Sequence, residues 1–196
     1  MAETRRTKIL THLWYANEAE EAAKFYTSIF PDSRIDHVAT LPSDSPSGLA
    51  GSVKVVDFTL FGQPLRAMSA GPHHDFNDAM SLVVCCDDQA ELDRYWNGLL
   101  VPRFRGMEGS FSAIFPTGSG RLTPPFHGIG VLEAGGKAQA CGWLIDRFGV
   151  RWQIVPVAFE QMMRDRDVTR TKRVTDAMLK MVKLDIATLE RAYRGN

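Results

Sequence analysis

One constant offset constrains this chain more than any other feature. Moving the N-terminal segment forward by 70 residues lays Ile9–Trp14 on Ala79–Val84, Phe25-Tyr26 on Tyr95-Trp96, Glu21 on Glu91 and Ile29 on Leu99. A shift held through a strand and a helix predicts an internal duplication, two copies of one supersecondary unit. In the first copy, residues 9–15 read as a strand. Ala19, Ala22, Ala23, Tyr26, Ile29 and Phe30 then recur at helical spacing, with Asn17 as the expected cap, Glu20 in the capping-box position and Pro31 as the stop. Strands follow at 33–40, 53–60 and 63–70, the last two flanking Phe61-Gly62 as a hairpin.

The second copy restarts with a strand over 80–86. Asp88 caps its helix, with Glu91 in the box position and Leu92, Tyr95, Trp96 and Leu99 as the apolar stripe. Glycines and prolines then break residues 101–134, an irregular insertion that carries Phe104, Phe111, Phe115 and Phe126. Strand signals return at 140–145 and 151–156. The remainder is helical: Val174, Ala177, Met178 and Met181 share one apolar face that needs a partner, and Asp185 caps a last helix with Ile186, Leu189 and Tyr193. The expected division is a paired region over 8–156 (units 8–71 and 79–156) and a helical tail over 158–196.

Composition narrows the function classes. Of 196 residues, 44% are hydrophobic, enough for a full core and too many for wholesale disorder. Lys plus Arg and Asp plus Glu both total 23, so a zero net charge supports neither a nucleic-acid nor a membrane-surface partner. No apolar run suits a signal peptide or a membrane helix. Two of the three cysteines, Cys85 and Cys86, are neighbours and poorly placed for a disulfide, so a reduced, cytoplasmic protein is expected.

Two strand-helix-three-strand units in tandem resemble the glyoxalase, bleomycin-resistance and extradiol-dioxygenase superfamily, also called vicinal oxygen chelate. Leu13-Trp14-Tyr15, Phe25-Tyr26, Ile29-Phe30-Pro31, Gly71-Pro72, Cys141-Gly142-Trp143-Leu144, Phe148-Gly149-Val150 and Trp152-Gln153-Ile154-Val155-Pro156 are similar to its PhnB-like branch, often labelled 3-demethylubiquinone 3-methyltransferase. The resemblance implies an α+β fold of paired βαβββ modules curved around a cavity, and a homodimer. It also implies, for the superfamily's enzymes, a divalent metal held by one ligand from each unit's first and last strands.

Those positions fall on Thr11 and Ser81, mates under the 70-residue shift, on Gln153, and on Ala67, Met68 or Ser69. Hydroxyls, an amide and a thioether are poor metal ligands, so no metal and no cofactor is expected. The expected pocket is an uncharged polar patch for a small organic molecule, built on Thr11, Ser81 and Gln153 with Ser69 and Cys141. Alternation turns His12 to the opposite face, toward the helices. His73, His74 and Asp75 form a loop cluster without a fixed third ligand beyond them. The alternatives are a metal-dependent lyase, isomerase or dioxygenase, or the methyltransferase of the label. The latter lacks the glycine-rich turn after a strand that a methyl-donor site needs.

Overall fold

A computed structural model describes residues 8–72, 75–101, 103–104, 132–133 and 135–196. The expectations placed on His73, His74, Phe111, Phe115 and Phe126 lie outside these residues. The first module runs β1 (Thr11–Tyr15), α1 (Ala19–Ile29), β2 (Arg34–Thr40), β3 (Lys54–Leu60) and β4 (Gln63–Ser69). The second runs β5 (Leu82–Cys86), α2 (Gln89–Leu100), β6 (Arg103–Phe104), β7 (Leu132–Glu133), β8 (Lys137–Ala138), β9 (Trp143–Ile145) and β10 (Arg151–Pro156). Helices α3 (Val157–Met163), α4 (Val168–Met178) and α5 (Ile186–Arg194) close the chain. The strands form two mixed four-stranded sheets, ordered β1-β4-β3-β2 and β5-β10-β9-β8, with β6 and β7 paired apart. Neither sheet closes, and the fold is α+β. The two-residue β8 beside Gly135-Gly136 carries no readable strand pattern.

Both sheets turn one face to a common core. Ala19, Ala22 and Ala23 are fully buried on α1, and their small side chains bring the helix close to its sheet. Tyr26 of α1 then stacks on Phe58 of β3 and meets Trp152 of β10 edge-on at 5.3 Å. The modules therefore share one interior, and the other face of each sheet is open. Among the described residues no helix is long and apolar enough to cross a membrane.

Several local expectations change. Asn17 does not cap α1: Glu18 holds that position without a side-chain bond, and the orphan N–H of Ala19 donates instead to Ser69 Oγ, at 3.0 Å across the module. Asp88 and Asp185 cap as expected, accepting from Glu91 N and Thr188 N. The tail face is in part covered within the chain. Val174 is fully buried, and Met178 and Met181 pack against the shared core.

The duplication holds with one correction. The helices superpose at 70 residues, but core parity in the first strands, Leu13 and Tyr15 against Val84 and Cys86, requires 71. A one-residue slip exchanges the faces of a strand. Thr11 thus shares the core face with Leu13, whereas Ser81 lies on the open-face parity of Val83. They are not mates. The same parity puts His12 on the open face, paired with Arg66, and not toward the helices.

Candidate functional site at the module seam

Two adjoining cavities lie where β1, the linker after β4 and the β9–β10 turn meet. The larger, about 590 Å³, has Trp14, Pro72, Phe76 and Phe148 in its walls and Glu18, Asp75, Arg147 and Arg151 as its charged groups. The smaller, about 170 Å³, shares Asp75, Phe76 and Arg151 and adds His12, Met80 and Ser81.

The β9–β10 turn is built around Asp146. Its carboxylate Oδ1 accepts from the backbone N–H groups of Phe148 and Val150, at 2.8 and 3.0 Å. Oδ2 accepts from Trp152 Nε1 at 2.7 Å and from the Tyr26 hydroxyl at 2.8 Å. Gly149 completes the turn with φ of 87°, a conformation that favours glycine. The turn presents Arg147 and Phe148 to the larger cavity. The Arg147 guanidinium lies 3.9 Å from the Phe25 ring and 5.0 Å from that of Phe148, with Glu21 at 3.9 Å. On the opposite strand, Trp14 donates its Nε1 hydrogen to Gly71 O at 3.1 Å, which ties β1 to the linker. Arg151 is fixed by Gly149 O at 2.6 Å and Asp78 at 2.9 Å.

Of the five residues expected in the pocket, two meet. Gln153 Nε2 donates to Ser81 Oγ at 2.8 Å, and Ser81 lines the smaller cavity. The other three line neither cavity. Thr11 has the wrong parity. Ser69 is buried and spent on the α1 N-terminus. Cys141 sits in a left-handed turn whose N–H donates to Met181 O under the tail. Sequence reasoning missed Arg147 and Arg151, although they flank the Phe148-Gly149-Val150 stretch. Charge beside an aromatic turn was the available signal.

The metal implied by the superfamily can be tested against the donor set. On the open faces, the paired first- and last-strand residues are His12 with Arg66, Trp14 with Met68, Val83 with Gln153 and Cys85 with Val155. One imidazole and one thiol, on separate sheets and otherwise surrounded by a guanidinium, an amide, a thioether and apolar side chains, do not make up the donor set of a divalent cation. Arg66 itself forks onto Asp57, at 2.6 and 3.0 Å. Burial, then the neighbouring Arg66 charge, lowers the His12 pKa. Among the described residues no three His, Cys, Asp or Glu side chains converge on one point.

The model of the family described as 3-demethylubiquinone-9 3-methyltransferase matches residues 7–113 and 126–155. A solved structure of the PhnB protein from Bacillus cereus shares 29% identity over 77% of this chain and all of its own, with a TM-score of 0.51. Protein PA1353 from Pseudomonas aeruginosa shares 18% over 77% of this chain and 98% of its own, with a TM-score of 0.44. A Staphylococcus aureus protein shares 28% over 75% and 93%, with a TM-score of 0.27. No curated protein matches.

Proposed function

The chain belongs to the family described as 3-demethylubiquinone-9 3-methyltransferase, and we propose from that premise that it binds a small organic molecule at the module seam without a divalent metal. The observation that carries this reading is the cavity of about 590 Å³, which combines aromatic walls with a few charged groups. Ligand pockets commonly have that size and composition. Ser81 and Gln153 extend the site as a neutral polar patch beside the smaller cavity. The family's methyltransferase label finds no support at the strand-to-helix turns. These read Ala16-Asn17-Glu18 and Asp87-Asp88, with no glycine for the close backbone approach that a methyl-donor site needs. With all three cysteines free, a cytoplasmic location fits the chain.

A library of small organic compounds, followed by ligand-observed NMR, tests the reading. Hits are expected to disappear when Pro72→Trp fills the larger cavity from its exposed rim, while the melting temperature is kept. Metal analysis after dialysis is expected to find far less than one equivalent per chain. Hits that survive Pro72→Trp, or stoichiometric retained metal, would overturn it.

We also propose a homodimer, on a basis different from the tail. Both sheets leave one face uncovered, and Val83 is 52% exposed there. Such a surface suits a second copy, the open face of one first sheet lying against the open second sheet of the other. Light scattering at micromolar concentration is expected to give about twice the 21.9 kDa chain mass, and Val83→Glu is expected to shift it to the monomer. A monomeric wild-type protein would overturn this arrangement.

A further inference from the structure

We propose that the larger cavity takes an aromatic zwitterion, a flat apolar ring bearing both a carboxylate and an ammonium group. The inference rests on reading that cavity as the binding site, and it names the class of ligand. Trp14, Phe76 and Phe148 offer ring faces and edges to a planar body. The charges sort by segment. Both guanidinium groups, Arg147 and Arg151, come from the β9–β10 turn and the start of β10, while the carboxylates Glu18 and Asp75 come from the β1–α1 connection and the linker.

Arg151 is the carboxylate anchor. Nη1 is pinned to Gly149 O and Nε to Asp78, so the fork is already oriented, and Nη2 carries no hydrogen bond among the described residues. Asp78 is 67% exposed, and a pair so wetted yields readily to a ligand carboxylate. Arg147 is only 6% exposed and stacks against the Phe25 and Phe148 rings. It props the aromatic wall and adds positive potential. Among the described residues Asp75 makes no ion pair, and the Glu18 carboxylate accepts only from the Asn17 N–H. These two carboxylates are the ammonium partners. A purely anionic ligand would face Glu18 and Asp75 uncompensated, and a purely cationic one would face the two guanidiniums. A neutral ligand would leave both sets unused. The zwitterion alone answers each.

Four probes sharing one phenyl ring and a short chain separate the classes: L-phenylalanine, 3-phenylpropanoate, 2-phenylethylamine and 2-phenylethanol, each titrated calorimetrically at neutral pH and low salt. L-Phenylalanine is expected to bind at least about tenfold tighter than the other three, the usual scale for one charge-assisted contact. Arg151→Gln is expected to cancel its advantage over phenylethylamine, and Asp75→Asn its advantage over phenylpropanoate, with melting temperatures unchanged in both. A smaller advantage, or one insensitive to both variants, overturns the assignment. If phenylethanol or an uncharged library compound binds as well and is lost in Pro72→Trp, the cavity remains the binding site and only the zwitterion falls. Absence of binding by all four probes overturns the assignment, and absence of any library hit then removes the site as well.

Discussion

Replacing Asp146 by alanine is expected to lower the unfolding free energy by about 3–5 kcal/mol, the scale for leaving several buried donors without an acceptor. Four donors converge on this carboxylate, two from backbone and two from the aromatic core. Burial, the largest cause, holds both the Tyr15 and Tyr26 phenols well above their ordinary pKa, so each keeps its proton. Tyr26 gives its one hydrogen to Asp146, and the Tyr15 hydroxyl 3.1 Å away must then donate to the Tyr26 oxygen. Without Asp146 that chain ends on nothing, and Trp152 Nε1 loses its acceptor in the interior. Asp146→Asn keeps the volume but turns a donor toward donors, and about 2 kcal/mol is expected. Urea unfolding followed by tryptophan fluorescence measures both. A loss below about 1 kcal/mol for the alanine variant would show that water or rearrangement satisfies the orphaned donors. Domains of this kind hold only about 5–15 kcal/mol in total, so the alanine variant would lie near the limit of folding. The same turn carries Arg147 and Phe148, which makes the cavity wall dependent on a residue that lines neither cavity.

Much of this architecture was legible because local signals and periodicity agree. The apolar stripe of α2, its Asp88 cap, the Asp185 cap and the whole of β10 follow from rules that act within a few residues. The sheet faces were not legible. Leu82-Val83-Val84-Cys85-Cys86 is apolar throughout, so alternation has nothing to read, and Trp14 blurs the pattern in β1 in the same way. The helices alone then set the offset at 70, and the missing residue between β5 and α2 inverted the parity of Thr11 relative to Ser81. Ser69 failed for a different reason: its partner is Ala19, 50 residues away, and a buried hydroxyl at a distant helix end leaves no mark in the sequence around it. The cavity walls are assembled from three segments that only the finished fold brings together. Sequence spacing could show that Gln153 is an amide on a strand, but not that the charged seam lies one turn earlier.

Gly142→Ala is expected to cost about 2–4 kcal/mol, because two separate demands meet at that glycine. Its φ is 82°, where a Cβ is strained. An added Cβ would also stand 2.9 Å from Ile154 O and 3.1 Å from the Leu184 side chain, and a backbone carbonyl inside a sheet has little room to retreat. The position is the joint between the second sheet and the tail. Gly142 N donates to Val182 O and Gly142 O accepts from Ile154 N, both at 2.8 Å, while Cys141 N reaches Met181 O beside them. Leu184 and Leu189, both buried, follow from that docking, so the variant is expected to loosen the tail as well as the turn. Limited proteolysis should therefore cut within the tail first, before the sheets are attacked. Cys141→Gly is the matched control. Cys141 also has a positive φ, 60°, so glycine there relieves backbone strain and removes one small side chain. A change below about 1 kcal/mol is expected for it. Equal losses in the two variants would mean that the turn tolerates substitution generally and that close approach to Ile154 is not what requires glycine. A loss confined to Gly142→Ala, with early cleavage in the tail, would identify this contact as the one that fastens the C-terminal helices to the second module.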